Sequence, residues 1–379
     1  MSAETILTNA RLVLADEVVS GSLLIRDGLI ADVWKGSART GEDMDGDYVI
    51  PGLVELHTDH LEGHYAPRPK VRWNPVAAVL AHDAQVATAG ITTVLDALRI
   101  GLYQDAETDA QDMRKLADAI EDSVANGRLR ADHSIHLRCE VSAPDCLEAF
   151  ALFEGDERVR MASLMDHAPG QRQFVDLDTY AHYHQRKLKL SEEEFRRFCE
   201  RRIAESAEYS ARYRAAISAV CHERGIVLAS HDDATADHVR EAVDQGIRVA
   251  EFPTTVEAAR ASKEAGIGVM MGGPNVMRGG SHSGNVSARA LAEAGLLDII
   301  SSDYIPFSLI QSAFFLGEFV EGISLPQAVA KVSKNPADAV GLTDRGVIEP
   351  GRRADLVRVR VDDHVPVVRT VWREGCRVA

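Results

Sequence analysis

Apolar and polar positions change rhythm twice along the chain. Over residues 4–35 short apolar runs such as Ile6-Leu7, Leu12-Val13-Leu14 and Leu23-Leu24-Ile25 are broken by turn residues, Asp27-Gly28 among them. β-type runs joined by Asp-Gly read as hairpins. The C-terminus repeats this pattern: 354–361 runs apolar, Asp362-Asp363 turns, and 365–372 runs again before Glu374-Gly375. The middle differs. Apolar runs at 52–56, 92–97, 134–141, 159–165, 226–230, 249–252, 268–271 and 297–301 alternate with helical patterns at 105–126, 191–224, 235–245, 255–265 and 287–293. Gly90, Gly225, Gly246, Gly266 and Gly295 precede new runs, where a helix needs its C-cap. Strands alternating with helices predict a parallel sheet, and eight units fit a closed (β/α)8 barrel better than an open sheet. The expected architecture is α/β: a barrel over 51–341 and a small β-sandwich assembled from 1–50 plus 342–379.

In such a barrel the chemistry sits at the C-terminal ends of the strands. Those ends carry His57, Asp59 and His60; Asp96; Arg138 and Glu140; Asp166-His167; His231-Asp232-Asp233; Glu251; and Asp303. One His or Asp at a strand end is usually a turn former or a satisfied polar group. Imidazoles and carboxylates converging from several strands are what zinc or a similar divalent ion requires. His57 and Asp59, two apart, face one side and can share a metal. Arg138 at the mouth favours an anionic ligand. His133, His136, His182, His184, His222, His238 and His364 read as surface or core residues.

Three loops add cations. After the first strand comes a stiff Pro-rich segment with Arg68, Lys70 and Arg72. After the fourth comes a long excursion with Arg172, Arg186, Lys187 and Lys189, of the kind used for lids. After the seventh, GGPNVMRGGSHSGN places Arg278, Ser281, His282 and Ser283 in Gly-rich chain. Such chain can wrap phosphate oxygens with its N–H groups. There is no GxxxxGK[ST], so this is not a P-loop.

Composition narrows the classes. The 379 residues are 45% hydrophobic and 26% charged, which excludes a disordered or fibrous protein. The formal charge of −16 argues against nucleic acid or an anionic membrane as a general partner, and by itself against a polyanionic substrate. Five scattered cysteines with no CxxC pair indicate neither a disulfide framework nor a zinc ribbon. With no export-type N-terminus and no long apolar run, the expected location is the cytoplasm.

PGLVELHTDH after a β-rich start, and GVIEPGRRADLV before the last strands, resemble the opening and closing signatures of the amidohydrolase superfamily of metal-dependent hydrolases. Within it, HTDHLEGHYAPRPKVRW, GITTVLDALRIG, LMDHAPGQRQF, LASHDDAT, AEFPTT, MGGPNVMRGGSHSGNVSA and DIISSDYIP are similar to the phosphonate-utilisation hydrolases of the carbon–phosphorus lyase pathway, over nearly the whole chain. The resemblance implies one or two divalent ions, zinc foremost, at the barrel mouth. The superfamily's His-x-His aligns with His57 and Asp59, with His60 the alternative to Asp59. Glu140 stands in for the family's bridging carboxylated Lys. His167 and His231 match the strand-four and strand-five ligands, Glu251 falls at a strand-six position, and Asp303 matches the general base.

The implied reaction releases diphosphate from α-D-ribose 1-methylphosphonate 5-triphosphate, a phosphorylated sugar phosphonate. A metal-bound hydroxide attacks the ribose-proximal phosphorus while Asp303 takes the proton. Arg68, Lys70, Arg138, Arg172, Arg278, Ser281, His282 and Ser283 are the expected anion contacts. Two rival expectations stand beside it: hydrolysis of a C–N bond in a cyclic amide or amine, and a metal-free structural barrel. The 191–224 helix and the terminal sheet offer surface for a homodimer.

Overall fold

The computed structural model describes residues 4–101, 108–172, 191–281 and 284–379. The two ends of the chain meet in one eight-stranded sheet. β1 (Glu4–Val13) pairs antiparallel with β2 (Val18–Arg26), and β2 with β3 (Leu29–Lys35). The short β4 (Glu42–Asp43) and β5 (Tyr48–Pro51) lie parallel to β1. On the far side of β5 the C-terminal β14 (Leu356–Asp362), β15 (Val365–Arg373) and β16 (Cys376–Arg377) follow antiparallel. Asp27 and Gly28 both have positive φ, 52° and 80°, the backbone a type I′ hairpin turn demands. Leu7, Leu12, Leu23, Val49, Leu356 and Trp372 share one core, so strands from both termini bury their apolar faces together.

The central barrel runs through β6 (Leu53–Thr58), β7 (Ile91–Ile100), β8 (Asp132–Glu140), β9 (Val159–Met165), β10 (Val227–His231), β11 (Val249–Glu251), β12 (Gly268–Gly272) and β13 (Ile299–Ser301). Each pairs in parallel with the next. Between first and last the seam is narrow: Asp303 N donates to His57 O at 3.0 Å, and Asp59 N to Asp303 O at 3.0 Å. Inside, Val54, Leu56, Leu95, Met161, Ala229, Val249, Met270 and Ile299 form one cluster drawn from seven strands. β8 contributes His136, buried and satisfied by Leu56 O at 2.9 Å and Ser163 Oγ at 2.7 Å. Burial pushes its pKa down to about 4, so it is a neutral core histidine, as the sequence suggested.

Most helices fall where periodicity puts them. Glu192–Arg224 starts in a capping box between Ser191 and Glu194 and stops at Gly225, φ 67°. The 105–126 pattern resolves as Ala110–Ala125, capped by Asp109, while 105–107 lie outside the described residues. Pro75–Thr88 and Ser308–Phe319 are helices the pattern misses, because apolar residues fill most of their length and leave no polar stripe to count. The expected Gly-rich phosphate loop is a helical turn over Gly273–Arg278, with Pro274 in its first turn and Gly279, φ 78°, ending it. Among the described residues no helix is long and apolar enough to cross a membrane.

Asp96 is not at the barrel mouth. β7 continues four residues past it, and its side chain turns outward, away from the interior cluster. There it accepts from His82 Nε2 at 2.8 Å and His133 Nδ1 at 2.7 Å, and His133 Nε2 meets Asp83 Oδ1 at 3.3 Å. Burial alone would lower His133; the carboxylates of Asp96 and Asp83 outweigh it and hold its pKa up at about 9. A raised histidine stabilises fully below its unfolded value, and that contribution is lost as pH rises through the folded one. The melting temperature of the wild type should therefore fall more steeply between about pH 7 and about pH 10 than that of His133→Gln. Parallel slopes for the two proteins would remove the imidazolium from this network.

Candidate active site

The site begins with a break in the first barrel strand. Between Glu55 and Thr58 two residues of β6, Leu56 and His57, stand against one of β7, Leu95, a bulge that shifts the in–out alternation by one. Val54 and Leu56 line the interior below it, and yet His57 also enters the cavity above. Glu55 fills the polar gap the bulge opens. Its Oε1 accepts from His57 N and its Oε2 from Ser302 N, both at 2.6 Å, so one buried carboxylate joins the first strand to the last. Burial pushes its pKa up to about 7.

Glu251, at the end of β11, holds two rings at once. His57 Nδ1 lies 3.1 Å from Oε1 and His231 Nδ1 lies 2.9 Å from Oε2. Burial opposes the charge, but the His57 and His136 imidazoles outweigh it and keep this carboxyl well below its ordinary range. A carboxylate taking Nδ1–H fixes each ring with the Nε2 lone pair free. His57 Nε2 then faces Asp59 Oδ1 at 3.7 Å, and His231 Nε2 faces Asp232 Oδ2 at 3.5 Å. The Phe252 ring stands edge-on to both imidazoles, centroids 5.0 Å and 5.3 Å away.

Two groups of donor atoms result. His57, Asp59 and Asp303 form one; His167, His231 and Asp232 form the other; all six residues line one cavity of about 330 Å3. In the second group Asp232 Oδ2 is 3.5 Å from His167 Nε2 as well, and it is buried without a hydrogen-bond partner. A desolvated carboxylate oxygen with no donor, facing two imidazole nitrogens, fits a divalent cation. His167 Nδ1 and Glu140 Oε2 are 2.5 Å apart, and Glu140 also accepts from His167 N at 2.9 Å and Ser142 Oγ at 2.6 Å. Burial disfavours both charges, but their attraction prevails: His167 rises to about 10 and Glu140 falls to about 2.

Charge in the first group is graded. Arg138 reaches the cavity wall and pairs with Asp59. Burial would raise Asp59, but Arg138 and then His57 outweigh it and hold the carboxyl below its usual range. Asp303 moves the opposite way. Burial, and after it the Asp59 charge, raise its pKa against the pull of His57 and Arg138. The acceptor nearest the seam is thus the more basic carboxylate. Backbone strain gathers here too: Asp232, Phe252 and Asp303 have φ of 57°, 54° and 55°. Left-handed backbone at residues other than glycine costs on the order of 1–3 kcal/mol each and marks sites where function fixes conformation.

The structure brings together His57, Asp59, Arg138, His167, His231, Arg278, Ser281 and Asp303 around one cavity, as sequence reasoning expected. Glu140 lies behind His167, bonded to it, and not in either converging group. Arg172 needs correction as an anion contact. It is buried, pairs with Asp233, and reaches Glu241 Oε2 at 2.5 Å, so its charge is spent between two carboxylates away from the cavity lining. Arg68 and Lys70 are exposed and do not line the cavity. His282, Ser283 and the cations at 186, 187 and 189 lie outside the described residues. Glu55 and Phe252 were missed, and Asp232 and Glu251 were given no role. His231-Asp232-Asp233 and Glu251 at its strand end are visible signals, but nothing local marks Glu55.

A parallel (β/α)8 barrel whose mouth is lined by imidazoles and carboxylates is the scaffold of a metal-dependent hydrolase. The chain belongs to the amidohydrolase family, which matches residues 48–378. It is 48% identical over 377 residues to α-D-ribose 1-methylphosphonate 5-triphosphate diphosphatase of Escherichia coli K12, an alignment covering 98% of this chain and all of the relative. It is 24% identical over 394 residues to imidazolonepropionase of Deinococcus deserti, covering 94% and 92%. Among solved structures it resembles a variant N-acetyl-D-glucosamine-6-phosphate deacetylase from Mycobacterium smegmatis, TM-score 0.64 at 19% identity, covering 99% of each chain. It also resembles 5-methylcytosine deaminase from Klebsiella pneumoniae, TM-score 0.64 at 15% identity, covering 99% and 98%. These structural likenesses concern the fold alone.

Proposed function

We propose that this enzyme hydrolyses α-D-ribose 1-methylphosphonate 5-triphosphate to diphosphate and the corresponding ribose 5-phosphate. The observation that carries the reading is the 48% identity to the Escherichia coli diphosphatase along its whole length. The cavity supports it: donor groups for a cation stand at the base, and Arg278 stands on the wall with no carboxylate partner among the described residues. We assign the barrel, 51–341, as the catalytic unit and 1–50 plus 342–379 as one accompanying unit.

His57, Asp59, His167, His231 and Asp232 are the residues that would hold the cation, with Glu140 behind His167 and zinc the best match to these donors. Bound there, the cation acidifies water and offsets phosphate charge. Asp303 Oδ accepts the proton of the attacking water, a task its raised pKa suits. Attack falls on the ribose-proximal phosphorus, and the pair of electrons of the breaking P–O bond leaves with diphosphate. Arg278 and the backbone beyond it meet the outer phosphates; Arg138, neutralised in part by Asp59, meets charge that develops near the base.

Purified enzyme with its metal quantified should release diphosphate from this triphosphate in a metal-dependent way. In 18O-water the label should enter the ribose 5-phosphate product. Label in diphosphate would place attack on another phosphorus, and turnover of hydantoins or dihydropyrimidines without diphosphate release would overturn the reading. The two arginines should separate cleanly. Arg278→Ala raises KM for the triphosphate by about tenfold or more, the scale of one charge-assisted contact. Arg172→Ala leaves KM unchanged and lowers the melting temperature, since it strands Asp233. An unchanged KM for Arg278→Ala would remove it from the anion site.

A further inference from the structure

We propose that Arg289 is a positioning residue for the phosphate end of the substrate. It braces the base of the loop that follows Arg278 and so aims that cation into the cavity. This role rests on the triphosphate reading above and deepens it.

Arg278 ends the helix Gly273–Arg278; the chain leaves at Gly279 and returns at Val286, just before the helix Ala288–Glu293. Arg278, Gly280, Ser281, Asn285 and Val286 all line the active-site cavity, so both arms of the excursion face the substrate. A long side chain on glycine-rich chain binds well only if its base is fixed beforehand, since ordering it on binding costs entropy.

Arg289 supplies that fixing. From the far arm its guanidinium reaches back to the first helix, Nε to Val276 O at 2.6 Å and Nη2 to Met277 O at 2.9 Å. Those carbonyls stand immediately before Arg278, where a helix runs out of N–H partners and carries its negative end. The same guanidinium lies over the Phe315 ring, 4.1 Å from its centroid, on the helix Ser308–Phe319. It is thus held between the loop base and a barrel helix.

Gly279 shows how close the fit is. Its φ is 78°, and a Cβ there would come within 3.1 Å of Arg289 Nη1. Asn275 ties the same base from the other side: its Oδ1 accepts from Ala288 N at 2.9 Å, and its Nδ2 donates to Val286 O at 3.3 Å. Among the described residues Arg289 pairs with no carboxylate; its donors go to the main chain beside Arg278. A contact that only braced two helices would register in stability and leave substrate affinity alone.

KM and kcat are measured for wild type, Arg289→Ala, Arg278→Ala and the double variant. The inhibition constant of inorganic tripolyphosphate, a probe of the phosphate end alone, is read beside them. Arg289→Ala should raise KM and the tripolyphosphate constant about threefold or more, with kcat held within about twofold. In the Arg278→Ala background the same substitution should add little, because the side chain it aims is gone. Equal fold-changes in both backgrounds overturn the proposal, as does a lowered melting temperature with KM unchanged. Arg289→Lys keeps the charge but cannot span both carbonyls, and it also stands in if the alanine protein misfolds. It should show most of the same rise, and a wild-type KM in it would assign the effect to charge and overturn the brace. If Arg278→Ala itself leaves KM unchanged, the anion loop falls and the brace with it. A rise there with none in Arg289→Ala strikes the brace alone.

Discussion

Asp303→Asn should lower kcat by about 10^2–10^4-fold, the usual worth of a positioned general base, while leaving the bound metal in place. The substitution keeps the shape of the side chain and its main-chain bonds at the seam, Asp303 N to His57 O and Asp59 N to Asp303 O. It removes only the ability to accept a proton, and the carboxylate it deletes is the one whose pKa burial and Asp59 raise. Metal content measured beside turnover separates the two roles. An Asp303→Asn enzyme that is active shows the base to be another group. One that loses its metal shows Asp303 to be needed for holding the cation.

Glu251→Gln should weaken metal binding by about 10–100-fold, the common cost of disturbing a carboxylate behind a ligating histidine. Glu251 does not itself line the cavity. It acts through two rings at once, at 3.1 Å to His57 Nδ1 and 2.9 Å to His231 Nδ1. An amide offers one acceptor oxygen where two are needed. One ring then meets an N–H instead, turns or changes tautomer, and its Nε2 lone pair leaves the cavity. The signature is a turnover deficit largely repaired by excess metal, with KM for the triphosphate little changed. An unaltered metal affinity would show that the rings are held by their packing against Phe252 alone.

The barrel was legible because its signals are local: runs of the right length, helix C-caps at glycine, polar residues at strand ends. What escaped depends on distance or on irregularity. Strict alternation from Val54 and Leu56 points His57 outward, and only the bulge brings it in. Asp96 looks terminal in an apolar run bounded at Ala97, whereas β7 extends to Ile100. Arg172 looked like a free cation in a basic loop until Asp233, 61 residues later, closed on it. Glu55 and Ser302 are 247 residues apart, and no pattern within either segment announces their bond. The expected anion contacts fared unevenly for the same reason, since composition marks a charge and only the fold shows what already neutralises it.

The narrow seam also bears on how this enzyme should fail. Besides the Glu55 link, two main-chain hydrogen bonds join the first and last barrel strands at the level of Asp303. Opening them separates the base from His57 and Asp59 without unmaking either strand, so heat inactivation should set in below the global melting temperature. Amide protons of Asp59 and Asp303 should exchange faster than those of the neighbouring strands, and slow when cation or diphosphate occupies the cavity. Operational lifetime would then be governed by this clasp, and cross-linking the seam would extend it.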